Sequence, residues 1–116
     1  MTLSSHTLRE QHCRPCHEGM PSLGPDESRP LLAHVPGWIL EGTIGFEIYR
    51  QFWFEDFIQS MAFANAVARI AQEQDHHPEI VVGFGRCLVR LSTRAVGGVT
   101  ENDFICAARI NALVEP

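Results

Sequence analysis

The sequence predicts an α+β domain: a four-stranded antiparallel sheet with three helices on one face, in the order α-β-β-α-β-β-α. Three observations predict it. Residues 37–54 and 80–94 each carry two short runs of apolar residues around a glycine-bearing turn, as hairpins do. Between them, residues 55–74 place apolar side chains at helical spacing. Near the end, Thr100 stands three residues before Asp103, the spacing of a capping box that opens a helix.

The elements follow in order. Residues 1–24 are polar and close on GMPSLGP, which predicts a flexible tail ahead of a domain over 25–116. Pro25, Asp26 and Glu27 signal a helix start, and Leu31, Leu32 and Val35 give that helix an apolar side. Pro30 and then Pro36-Gly37 keep it short. Trp38, Ile39 and Leu40 begin the first strand, and the chain turns near Glu41-Gly42-Thr43. In the second strand Phe46, Ile48, Phe52 and Phe54 alternate with Glu47, Tyr49, Gln51 and Trp53, and Arg50 interrupts the apolar face. So many aromatics on both sides suggest a sheet covered on one face and partly on the other.

The central helix has one stripe at Phe57, Met61, Ala64, Ala68 and Ala71, and a second beside it at Phe63, Val67 and Ile70. Glu55 and Asp56 suit its positive end. IVVGFG and RCLVRLSTR then read as two strands meeting near Gly85. Cys87, Val89 and Leu91 point one way; Arg90, Ser92 and Arg94 point the other. In the last helix Phe104, Ala107, Ala108 and Ala112 form the expected buried stripe. Four antiparallel strands leave free edges, which makes self-association by pairing an expectation.

Composition excludes several classes. A chain of 116 residues with net charge −5 suits one domain and disfavours a broad nucleic-acid surface. No apolar run reaches the length of a membrane span, and the first residues have no signal-peptide pattern, so the expected location is cytoplasmic. Cys13, Cys16 and His17 spell CxxCH, the haem-attachment string, but attachment requires export. A zinc site needs four ligands and no second CxxC follows, so the pair reads as unliganded in the tail. Cys87 and Cys106 read as core. No metal and no cofactor are expected.

His76 and His77 stand together in EQDHHPEI. Imidazoles titrate near neutral pH, which suits acid–base work. Adjacent histidines cannot easily share one metal. The competing reading is a turn in which Pro78 ends the helix and the imidazoles satisfy local backbone groups.

A resemblance adds to this. PGW before the first hairpin, F-x-F-x-D-F into the long helix, DHHP after it, L-S-T closing the second hairpin and T-E-N-D opening the last helix resemble the pterin-4a-carbinolamine dehydratase family from Trp38 to Ala112. The resemblance implies the fold already read, a dimer or dimer of dimers, and loss of water from a 4a-hydroxytetrahydropterin. That reaction needs one group to protonate the departing hydroxyl and another to accept the N5 proton. The resemblance assigns catalytic positions to His76, His77 and Asp103, and a place near the pocket to Trp38.

The sequence departs from the family at three points. The third histidine, following L-S-T, is Arg94; the acidic residue four before the first histidine is Gln72; and the aromatic, asparagine-rich loop is IVVGFG. A guanidinium does not deprotonate in proteins, so Arg94 cannot shuttle protons, although it can hold a ligand. The expectation is therefore a degenerate site. The chain would serve as a non-catalytic protein-binding or assembly factor, such as the Rubisco assembly chaperone of the α-carboxysome that this family includes, with Rubisco subunits as partners. The alternative is an active dehydratase in tetrahydropterin recycling, with a pterin ligand.

Overall fold

The structure, a computed structural model, describes residues 5–42 and 46–115. The turn position expected at Thr43 and the first four residues of the expected tail lie outside these. The helices are α1 (Ser5–Glu10), α2 (Pro25–Leu32), α3 (Phe57–Gln74) and α4 (Glu101–Asn111). The strands are β1 (Ile39–Glu41), β2 (Glu47–Trp53), β3 (Glu79–Gly83) and β4 (Arg86–Leu91). The expected four-stranded antiparallel sheet is present, in the order β1-β2-β4-β3. The two hairpins thus lie side by side, joined through β2 and β4 by pairs such as Ile48 with Leu91 and Phe52 with Cys87.

One sheet face is covered. Ile48 and Phe52 of β2 and Cys87, Val89 and Leu91 of β4 point into the core, where Phe63 and Val67 of α3 and Phe104 and Ala107 of α4 meet them. The ring of Phe52 lies 6.2 Å from Trp38, edge-on, and 4.5 Å from Phe63. Arg50, which interrupts the apolar alternation, has a structural use. Its guanidinium lies 4.4 Å over the Phe52 ring and reaches Asn111 Oδ1, the Pro36 carbonyl and Glu115.

The stripe expected on α3 is rotated. Phe57, Met61 and Ala68 are exposed, while Ser60, Phe63, Ala64, Val67, Ala71 and Gln74 face inward. Both candidate stripes were apolar, and the aromatic set on β2 captures the one carrying Phe63. Asp56 caps the helix by accepting the Gln59 amide at 2.8 Å.

The described part of the expected tail is packed instead. Leu8 on α1 is fully buried against α4. Arg109 of α4 donates to the Gln11 carbonyl. The Asn102 amide pairs both ways with the backbone of Arg14, at 2.9 and 2.7 Å. Leu23 bridges to Val99. The consequence is a helix buried on more than one side: Ile105, Cys106 and Ile110 are as buried as Phe104, Ala107 and Ala108, while Ala112, expected in the stripe, is half-buried.

Candidate active site

The site begins where α3 stops. Asp75 takes a left-handed conformation, φ 50°, and its amide closes the helix on the Ala71 carbonyl. Aspartate tolerates this region better than most residues. The chain then leaves in an extended direction toward β3, which throws neighbouring side chains to opposite sides. His76 turns inward and is buried; His77 turns outward and is exposed. That division gives two adjacent histidines different surroundings.

His76 Nε2 meets Asp103 Oδ1 at 2.6 Å. Asp103 is fully buried in the first turn of α4, and its other oxygen accepts from the Thr93 hydroxyl at 2.8 Å and the Thr100 amide at 2.9 Å. The capping-box spacing thus has a double use: it starts the helix and fixes the carboxylate that holds His76. An acceptor-only carboxylate requires a proton on Nε2 in either charge state of the ring. The titrating position is therefore Nδ1, which points toward Cys16 Sγ at 3.5 Å.

Burial pulls the His76 pKa down, but the hydrogen bond and charge of Asp103, assisted by Cys13 and Asp75, outweigh it. The net result lies above the ordinary imidazole value, so the ring holds its second proton more tightly than a free histidine.

A cleft of about 590 Å³ opens beside this pair. His76, His77, Glu79, Arg90, Ser92 and Arg94 line it. Arg90 lies 3.8 Å from Glu47 and 3.9 Å from Glu79. Arg94 is exposed at the start of a 3₁₀ turn and borders the cleft. Cys16, which sequence reasoning left in the tail, borders it too.

Four of the five expected site residues come together: His76, His77 and Arg94 line the cleft, and Asp103 stands behind His76. Trp38 does not. It is buried in the core, donating from Nε1 to Asn111 Oδ1 at 2.8 Å at the opposite end of α4 from Asp103. Within this chain it packs in the core, away from the residues that line the cleft. Among the described residues no cluster of histidine, cysteine and carboxylate groups is arranged to hold a metal.

The fold and the cleft define an α+β protein with a candidate site beside a buried histidine–aspartate pair. The chain belongs to the pterin-4a-carbinolamine dehydratase family, whose description, Pterin 4 alpha carbinolamine dehydratase, matches residues 21–113. A relative in Nitrosospira multiformis, named "Putative pterin-4-alpha-carbinolamine dehydratase", is 44% identical over 108 residues and 93% of each chain. One of the same name in Xylella fastidiosa is 44% identical over 109 residues, covering 94% of this chain and 93% of that one. Aligned spans of this length reach into the segment carrying Cys13 and Cys16.

Two solved structures are similar. A transcriptional coactivator/pterin dehydratase from Brucella melitensis matches with TM-score 0.75 and 33% identity, over 80% of this chain and 98% of that one. A pterin dehydratase-like protein described as a RuBisCO assembly factor in the alpha-carboxysome matches with TM-score 0.57 and 27% identity, over 66% and 88%. Among the described residues no helix is long and apolar enough to cross a membrane.

Proposed function

We propose that the cleft binds a 4a-hydroxytetrahydropterin and dehydrates it, at a rate lowered by Arg94. The observation that carries this reading is the 2.6 Å bond from His76 to buried Asp103, which leaves Nδ1 as a proton-bearing atom at the cleft wall. Nδ1–H of His76 is the acid for the departing 4a-hydroxyl, which leaves as water. His77, exposed in the same cleft, accepts the proton from N5. Family membership and the names of the relatives support the same reading. Substituting the third imidazole by a guanidinium removes one proton carrier, a loss of about 10²–10⁴-fold in general acid–base catalysis.

A second reading is favoured by a different observation. Trp53, Ile58 and Phe84 are 71%, 75% and 74% exposed, an apolar presentation suited to protein contact. On this reading the degenerate cleft is silent and the chain is a non-catalytic assembly factor, by analogy with the carboxysome-linked neighbour, with Rubisco subunits as the partner. The same exposed groups and the open edges of β1 and β3 also support self-association as a dimer or dimer of dimers.

The test is dehydration of 4a-hydroxytetrahydropterin above the spontaneous rate, by the wild-type chain and by Arg94→His. Measurable wild-type turnover, rising about 10²-fold or more in the variant, is the expected result. No turnover in either chain, together with no pterin binding by calorimetry, would overturn the catalytic reading. Comigration of the purified chain with Rubisco large subunits would then support the second.

A further inference from the structure

The dehydration reading uses Nδ1 of His76 and leaves the thiol beside that atom unexplained. Cys16 Sγ lies 3.5 Å from His76 Nδ1, while Nε2 of the same ring holds Asp103 at 2.6 Å. The Asn102 side-chain amide points its N–H at the same sulfur, at 3.7 Å. The three side chains Cys16, His76 and Asp103 therefore stand in line, sulfur to imidazole to carboxylate. A nucleophile, a base within reach and a third group orienting the base is the arrangement that activates a thiol.

The placement of Cys16 is built rather than incidental. Cys13, three residues earlier, donates its amide to Gln74 Oε1 at 2.7 Å and lies 3.5 Å from Cys106 Sγ. Arg14 is clamped by Asn102. These contacts fix the loop on both α3 and α4 and leave the next thiol facing the cleft. Of the four cysteines, Cys16 alone is exposed. Cys87 and Cys106 are buried, and burial pushes the Cys87 thiol up, away from reactivity.

We propose that Cys16 is a nucleophilic thiol activated by His76, forming a covalent site for soft carbon or sulfur electrophiles at the mouth of the cleft. The sulfur attacks the electrophilic atom with its electron pair, and the leaving group departs with the pair from the broken bond. The proton given up by the thiol is held at Nδ1, and the positive charge on the ring is balanced by Asp103. With iodoacetamide, an S–C bond forms as the C–I bond breaks and iodide leaves. The raised proton affinity of His76 supports this direction of transfer. The site does not depend on dehydration: it stands whether or not a pterin binds.

The test is the rate of iodoacetamide labelling at Cys16 in the intact chain at pH 7, read by peptide mass mapping. The reference is a synthetic peptide of residues 11–19, QHCRPCHEG, which keeps the same sulfur and neighbours but lacks His76. With His76 in place to take the thiol proton as the S–C bond forms, the folded chain is expected to react about tenfold faster than the peptide. Labelling equal to or slower than the peptide would overturn the proposal, and that comparison needs no variant. In His76→Gln, with the fold checked by circular dichroism, the rate is expected to fall to the peptide's. A fast rate surviving in that variant would remove His76 from the site.

Discussion

Asp103→Asn tests the pair on which the site is built. The carboxylate accepts three hydrogen bonds, from His76 at 2.6 Å, Thr93 at 2.8 Å and the Thr100 amide at 2.9 Å. An asparagine can keep its oxygen toward Thr93 and Thr100, which donate. Its NH₂ then faces Nε2 of His76, where two donors cannot meet. The ring has to move its proton to Nδ1 and accept at Nε2, and a charge-assisted bond becomes a neutral one. A buried hydrogen bond to a charged group contributes about 1.5–3 kcal/mol, so a loss of about 2 kcal/mol follows. For a domain of this size that lowers Tm by roughly 8 °C.

The pH dependence gives a sharper reading. The pKa of His76 is raised above the ordinary value of 6.5 in the fold. Its contribution to stability is therefore fully present below that value and is lost as pH rises through the folded one. Urea unfolding at pH 6 and pH 9 should show the wild type losing more stability across the interval than the variant. Groups away from Asp103 are common to both chains and cancel in the difference. Long-range ¹⁵N–¹H spectra of the imidazole should show the proton on Nε2 in the wild type and on Nδ1 in the variant at high pH. Equal pH slopes, with an unchanged tautomer, would refute the coupling of His76 to Asp103.

Two further outcomes are expected. Leu8→Ala should destabilise the fold by about 2–4 kcal/mol, read by urea unfolding, because Leu8 is fully buried between α1 and α4; a neutral result would return the segment to the status of a loose tail. Trp38→Phe should cost about 1 kcal/mol from the lost bond to Asn111 and leave pterin binding within about twofold; a large loss of binding would restore Trp38 to the site.

The sheet and three of the helices were legible because period-2 and period-3.6 patterns are local. The His76–Asp103 contact was not, although both residues were expected in the site, because 27 residues and two strands separate them. Periodicity also could not choose between the two apolar stripes of α3, since either would serve as a core face and only the aromatics of β2 decide.

The N-terminal segment was missed for a different reason, and the missed signal lies elsewhere in the chain. Leu8 is a single apolar residue in a six-residue helix, too little to announce packing. Yet α4 reads Phe104, Ile105, Cys106, Ala107, Ala108, Arg109, Ile110, with apolar groups on more than one face. A helix apolar beyond one stripe needs cover on a second side. The sheet supplies one cover, and the segment before α2, through Leu8, supplies another. Arg109 and Asn102, the polar groups flanking that run, have their partners there, in the Gln11 carbonyl and the Arg14 backbone. The demand made by α4 brings the loop of Cys13 and Cys16 against the cleft, so the second apolar face of the last helix is the physical reason a thiol stands beside His76.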